Sequence, residues 1–327
     1  MIEIAQIGCG YWGPNLLRNL VTNKRCKVKT VVDLSAERLK YVSELYPSIH
    51  TTSDVSEVLS DQNVHAVVIS TPVATHYELT LKTLESGKHV LVEKPMARTV
   101  SEVEDIGKLA KKKKLVAMVG HTFIYNSAVR YVKGLIDSRE LGEIRYIYCQ
   151  RLNLGRIRSD VDALWNLAPH DISIIQYWLG DISPLSVSKS GIDYVQKGVA
   201  DVVFMNIIYP DKILANIHVS WLDPQKVRRI TIVGSKRMVV YDDIAENKIA
   251  IYDKGIDKIA QLGEKMDYDE SSYPNFAYRS GDVLLPKIDL QEPLKVEINH
   301  FIDCIKNDTE CLTGPNHAKR VVEILSL

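Results

Sequence analysis

The chain has 327 residues, 46% hydrophobic and 25% charged, with 41 basic and 41 acidic side chains that cancel. A zero net charge excludes bulk attraction to nucleic acid or to an anionic membrane, and no apolar run is long enough to span a bilayer. The length suits two domains and the composition suits a globular protein.

In chain order, Ile2 to Ile7 reads as a short apolar strand. Gly8-Cys9-Gly10-Tyr11-Trp12-Gly13 follows and fits G-x-G-x-x-G. Asn15 to Thr22 reads as a helix, and Cys26 to Val32 as a strand that ends at Asp33. Asp33 lies 20 residues past Gly13, where a dinucleotide fold places the acid that binds the adenosine ribose. Gly8 permits the tight turn, Gly10 lets the backbone approach a pyrophosphate, and Gly13 allows close helix–strand packing. Asp33 favours NAD, since a carboxylate repels a 2′-phosphate; Ser35 and Arg38 leave room for NADP.

The alternation continues. Ser35 caps a helix to Tyr46, an extended piece runs near Ile49 to Thr52, and Asp54 to Leu59 is helical. Ala66 to Ile69 is a buried strand ending in Ser70-Thr71-Pro72, and Thr75 to Ser86 a helix. Val90 to Val92 ends in Glu93-Lys94-Pro95. Ser101 to Lys113 is a helix whose basic end, Lys111 to Lys114, suits the negative helix terminus. Val116 to Val119 is the last strand of this series. The pattern predicts a parallel sheet with right-handed crossovers, so Gly8–Gly13, Asp33, Ser70–Pro72 and Glu93–Pro95 should line one crevice.

After Gly120 the pattern changes. Helices are expected over Ser127 to Asp137 and Ala163 to Leu179, and a strand over Ile144 to Leu152. Further strands run in succession to Tyr252 and predict an antiparallel meander, one face of which packs on helices and the other on a second subunit. Lys258 to Leu285 reads as a long surface loop, and Glu292 to Lys306 and Ala318 to Leu325 as helices. The expected organisation is a Rossmann dinucleotide-binding domain over 1–121 and an α+β domain for substrate binding and oligomerisation over 122–327. The C-terminal helices are long enough to pack back on the first domain. The expected assembly is a homodimer or homotetramer. The N-terminus lacks a basic leader region. The five cysteines include no C-x-x-C pair, which suggests a reducing cytoplasm and no metal site.

Three groups carry candidate chemistry. Lys94 precedes a proline, stays extended and points its ammonium at the crevice, where it can stabilise an alkoxide or relay a proton. His170 is a proton acceptor on a helix, with Asn166 four residues earlier on the same face to orient it. Arg151, Arg156 and Arg158 form a basic cluster suited to an anionic substrate, or to plain solvation of a loop.

With these pieces placed, the sequence resembles the Gfo/Idh/MocA family of NAD(P)-dependent sugar and polyol oxidoreductases over nearly its whole length. The markers are Thr71-Pro72 with His76, Glu93-Lys94-Pro95, and the helix with His170. The resemblance implies that Lys94 is catalytic, that the Lys94–Pro95 bond is cis, and that His170 and Asn166 complete the catalytic set. The family commonly has Asp at the Asn166 position; Asn can orient an imidazole but cannot offset its charge. It further implies cofactor contacts from Gly8, Gly10, Tyr11, Trp12, Gly13, Asp33, Arg38, Ser70, Thr71, Pro72, His76, Glu93 and Lys94. Substrate contacts are expected from Lys94, Tyr125, Arg156, Arg158 and His170. The nearest branch is similar to nucleotide-sugar 3-dehydrogenases such as UDP-N-acetylglucosamine 3-dehydrogenase. The implied reaction is oxidation of a sugar's secondary hydroxyl at C3 by NAD. A dehydrogenase of a free polyol such as an inositol, and a non-catalytic NAD-dependent sugar sensor, are the alternatives.

Overall fold

A computed structural model describes residues 1–155, 157–159, 161–258 and 276–327. In chain order the elements are β1 (Ile2–Ile7), α1 (Gly13–Thr22), β2 (Cys26–Val32), α2 (Ala36–Leu45), β3 (His50–Thr52), α3 (Val55–Ser60), β4 (Ala66–Ile69), α4 (His76–Glu85), β5 (His89–Glu93), α5 (Val100–Lys113) and β6 (Ala117–Gly120). They continue with α6 (Ser127–Asp137), β7 (Ile144–Leu154), α7 (Ala163–Leu179), β8 (Ser186–Ile192), β9 (Val202–Ile208), β10 (Leu214–Ser220), β11 (Leu222–Gly234), β12 (Met238–Asp242), β13 (Ile249–Lys258), β14 (Phe276–Leu284), α8 (Pro293–Asn307) and α9 (Pro315–Ser326). They form two compact units. One comprises Met1–Ser127, Pro169–Asp181 and Leu290–Leu327; the other comprises Ala128–Ala168 and Ile182–Asp289.

The first unit is built on a six-stranded parallel sheet of order β3-β2-β1-β4-β5-β6. Strand order reverses between β1 and β4, the point at which such sheets open a ligand crevice at their carboxyl ends. All four residues of β4 are buried, as a strand covered on both faces requires. The helices start where local chemistry favours it. The Ser35 hydroxyl accepts the Arg38 N–H at the head of α2, and Thr99 and Glu102 form a reciprocal capping box on α5. The sheet's core draws on the far end of the sequence: Leu294, Ile298, Phe301 and Ile302 of α8 pack in one cluster with Ile4, Leu16, Leu17 and Leu20. The Val119 N–H of β6 donates to the Thr313 carbonyl at 2.9 Å.

The second unit holds an eight-stranded sheet of order β14-β13-β12-β11-β7-β10-β9-β8. It is antiparallel except for the β7–β10 pair. The simple meander expected from sequence is therefore interrupted: β10 and β11 are consecutive, yet β7 lies between them. The physical reason sits at Trp221, the single residue joining them. It is buried, its N–H donates to the Asp201 carbonyl and its carbonyl accepts the Gly155 N–H, so the chain rounds the end of β7 there. The expected loop over Lys258 to Leu285 is corrected in part. Phe276–Leu284 is strand β14 and pairs with β13, whose cross-strand hydrogen bonds override the weak alternation of that stretch. Residues 259–275 lie outside the described residues. Along β9, buried Val203, Met205 and Ile207 alternate with Phe204, Asn206 and Ile208 on the open face. Among the described residues no helix is long and apolar enough to cross a membrane.

Candidate active site

The glycine turn joins β1 to α1. Gly8 has a positive φ of 92°, and a Cβ built on it would stand 2.7 Å from the Ser70 carbonyl oxygen at the end of β4. Only glycine fits there. Gly10 differs: a Cβ on it would meet nothing within 4 Å. That open backbone, beside the N-terminus of α1, suits a pyrophosphate, so these residues fit a dinucleotide. Gln6 holds the turn from below. It is fully buried, and its amide nitrogen donates to the carbonyls of Gly8 at 2.9 Å and Gly13 at 3.0 Å. Sequence reasoning passed over Gln6, although a lone amide in an apolar strand is a signal. Asp33 closes the other side. Its carboxylate accepts the Cys9 N–H at 2.6 Å and the Ser35 N–H at 2.8 Å. Burial, then Asp33, pushes the Cys9 thiol up to about 11, against the pull of the Arg38 guanidinium. Arg38 and Tyr11 are exposed.

Ser70 and Thr71 continue β4, and Ser70 Oγ donates to the Gly8 carbonyl at 2.8 Å. His76, expected at the cofactor, is buried. Its Nδ1 lies 2.8 Å from the Pro95 carbonyl oxygen and its Nε2 2.8 Å from that of Thr71. Burial lowers its pKa, opposed by those two carbonyls. It therefore ties the end of β4 to the turn after β5. The Lys94–Pro95 bond is cis.

Glu93 connects this turn to the glycine loop. Its carboxylate accepts the Lys94 N–H at 3.2 Å, and the nearby Trp12 side chain weakly favours its charged form. Gly120 leaves it room, since a Cβ there would be 3.2 Å from the Glu93 carboxyl carbon. Glu93 keeps some exposed surface, yet its carboxyl is packed densely enough that desolvation raises its pKa to about 7 against the pull of Lys94. A second carboxyl lies in its field. Glu297 of α8 is fully buried, accepts the Thr122 hydroxyl at 2.9 Å, and is held well above the usual carboxylate range by burial and then by Glu93. His121, at the end of β6, is buried and held neutral by desolvation, with His317 and Lys94 adding to the effect. Its ring lies 5.4 Å from that of His317, edge to face. Sequence reasoning missed both. His121 stands at a strand end like the residues it did find, whereas Glu297 looks like any acid on an amphipathic helix.

His170 of α7 belongs to the same unit as Lys94. Its ring meets Phe123 edge to face at 4.9 Å, and its carbonyl accepts the Ser173 hydroxyl at 2.8 Å. Asn166 and Arg158 belong to the second unit. Asn166 is half-buried and Arg158 exposed, with the Arg158 carbonyl accepting the Gln196 amide. Arg156 lies outside the described residues. Arg151 is buried in β7. Tyr125, expected at the substrate, is only 1% exposed and shares a hydrogen bond with the Thr313 hydroxyl at 3.0 Å. It presents almost no surface to a ligand.

Residues 2–121 match the model of an oxidoreductase family with an NAD-binding Rossmann fold, and residues 129–240 match the GFO/IDH/MocA C-terminal domain. The chain belongs to the GFO/IDH/MocA oxidoreductase family. Its first unit thus carries the family's NAD-binding domain. The chain is 31% identical over 189 residues to a 4-carboxy-2-hydroxymuconate-6-semialdehyde dehydrogenase of Sphingobium sp., covering 55% of this chain and 60% of that one. It is 26% identical over 231 residues to a 2,7-anhydro-N-acetylneuraminate hydratase of Escherichia coli, covering 66% of this chain and 61% of the relative. The chain spans about three-fifths of the length of these two curated relatives. The solved UDP-N-acetylglucosamine 3-dehydrogenase GnnA of Acidithiobacillus ferrooxidans superposes with a TM-score of 0.81 at 23% identity, over 99% of this chain and 95% of that one. That last likeness is one of fold.

Proposed function

We propose that this family member is an NAD-dependent dehydrogenase of a sugar's secondary hydroxyl. The substrate is a nucleotide-linked hexose such as UDP-N-acetylglucosamine, oxidised at C3. The observation that carries the reading is Glu93, whose carboxylate accepts the Lys94 N–H and lies close enough to the Trp12 side chain of the glycine turn for its pKa to be lowered by it. It ties the lysine to the loop that would hold a dinucleotide. Bound NAD supplies the hydride acceptor. The chain's own residues do the rest. Lys94 donates to the substrate oxygen and stabilises its alkoxide character, while His170 accepts the hydroxyl proton. Asn166 orients His170, and Arg156 and Arg158 take the anionic part of the substrate. The residues at the ends of β1, β2, β4 and β5 hold the cofactor. His76 and Tyr125, being buried, position the backbone behind the site.

The printed activity of the dehydrogenase relative supports oxidoreductase chemistry, and the nucleotide-linked sugar rests on the basic stretch around Arg156 and Arg158 in the sequence. The test is a panel of nucleotide sugars and free inositols with NAD and NADP, following reduced cofactor and the keto product by mass spectrometry. We expect turnover on a nucleotide sugar. Turnover confined to inositols would overturn the substrate class, and tight cofactor retention without turnover on any sugar would favour a sensor.

We further propose a homo-oligomer joined through the open face of the eight-stranded sheet, working in the cytoplasm. Phe204, Ile208, Leu214 and Tyr146 are each 42–46% exposed there, and neighbouring strands place them in adjoining rows. None of the five cysteines is in a disulfide. Sedimentation showing a monomer at micromolar concentration would refute the assembly.

A further inference from the structure

Three soft donors converge at the C-terminal end of α8. His300 and Cys304 are one helical turn apart and share a face. Asp308 caps the helix in the left-handed conformation, with φ 50°, and the chain turns back so that Cys311 joins them. One ligand atom from each residue lies within 4.8 Å of the other two. Cys304 Sγ is 3.5 Å from His300 Nε2, and the two thiol sulfurs lie within 4.8 Å of each other. Cys304 is buried; His300 and Cys311 are half-buried.

We propose that His300, Cys304 and Cys311 form a binding site for one zinc-class ion, distinct from the dehydrogenation site. The donor set suits a thiophilic cation, since thiolate and imidazole are the ligands such ions select. The spacing suits it too. With metal–sulfur and metal–nitrogen bonds of about 2.3 and 2.0 Å, a tetrahedral sulfur–nitrogen edge is roughly 3.5 Å, the separation the helix already imposes. His300 Nε2 accepts the Leu312 N–H at 3.0 Å, so it carries the lone pair that ligation requires. Binding transfers that lone pair to the ion, and the Leu312 N–H gives up this acceptor. Both thiols lose their protons as the ion enters, so one divalent cation replaces two protons and no electron moves. The half-exposed side leaves a fourth position for water. The ion would clamp α8 to the turn whose Thr313 carbonyl pairs with β6, and so steady the edge of the parallel sheet. The absence of a C-x-x-C pair hid the site in the sequence, because its third ligand arrives through a helix cap rather than through local spacing.

The test uses the full chain, reduced and stripped with a chelator, then titrated with cobalt(II). We expect one cobalt per chain with a thiolate-to-cobalt charge-transfer band in the near ultraviolet, bleached by added zinc. Cys311→Ser, at a half-exposed position, and His300→Gln should each weaken binding by about 100-fold or more, since even outer-shell changes cost 10- to 100-fold. No charge-transfer band in the wild type, or a band unchanged in both variants, would overturn the proposal. So would a Cys304–Cys311 disulfide that forms in the presence of saturating zinc. None of these readouts depends on sugar turnover, so the outcome is separate from that of the dehydrogenase assignment.

Discussion

His76 bridges Thr71 and Pro95 with both ring nitrogens, each 2.8 Å from a carbonyl oxygen. A neutral imidazole has one N–H, so it can donate to only one of them at a time. Burial nonetheless holds the ring's pKa down. The unfolded chain therefore takes up this proton more readily than the folded one. Stability is lost as pH falls through the ordinary histidine range near ~6.5 and toward the lower folded value. We predict that the stability advantage of wild type over His76→Gln shrinks between about pH 7.5 and about pH 5.5. Urea unfolding at both values measures it, and a constant difference would refute the account. His76→Ala, which removes the one N–H that these two carbonyls share, should cost ~1–3 kcal/mol at neutral pH.

The two glycines of the turn should behave oppositely. Gly8→Ala forces a Cβ onto the Ser70 carbonyl at a positive φ, so it should destabilise the fold by roughly 2 kcal/mol or more. Gly10→Ala meets open space and should leave thermal stability unchanged. Its NAD affinity should nevertheless fall at least about tenfold, because the added methyl occupies the pyrophosphate's approach. A Gly10→Ala protein that binds NAD normally would place the cofactor elsewhere.

Asp33 has two tasks that one substitution can separate. Its carboxylate accepts the Cys9 N–H, and it is our assigned partner of the adenosine ribose. Asp33→Asn keeps an acceptor for the buried Cys9 N–H while removing the charge, and leaves the exposed Ser35 N–H to water. We predict unchanged folding, weaker NAD binding, and an NADP-to-NAD affinity ratio raised about tenfold or more, read by fluorescence titration. A wild type that already binds NADP more tightly would contradict this reading.

Lys94→Ala should lower turnover by roughly 10²-fold or more and change NAD affinity little, the scale of an electrostatic or acid–base group. His170→Ala should do the same and alter the pH–rate profile. Asn166→Asp adds a negative charge that should raise the His170 pKa and shift the profile upward. Near wild-type turnover in both alanine variants would remove these residues from the chemistry.

Much of this was legible because it is local. The strand–turn–helix around Gly8 to Gly13, the acid at Asp33 and the Lys94–Pro95 pair depend on neighbours in sequence, and strand order in a parallel sheet follows from handed crossovers. What escaped depends on distant chain. Glu297 matters only because α8 brings it into the field of Glu93. The place of β7 between β10 and β11 depends on how Trp221 is pinned. Strand β14 exists because β13 offers it an edge, which its own residues do not announce. The partner of Tyr125, Thr313, likewise comes from far along the chain.

The packing of α8 into the first unit also sets a timetable. Leu294, Ile298, Phe301 and Ile302 fill the same core as Leu16 and Leu20, and Thr313 supplies a hydrogen bond to β6. These residues emerge from the ribosome long after β6 has been made. Until then the nascent sheet lacks part of its hydrophobic cover and must wait while the whole eight-stranded sheet is synthesised. A nascent-chain protease assay should therefore find Met1–Ser127 cleavable at lengths that stop short of α8, and protected only once that helix has cleared the exit tunnel.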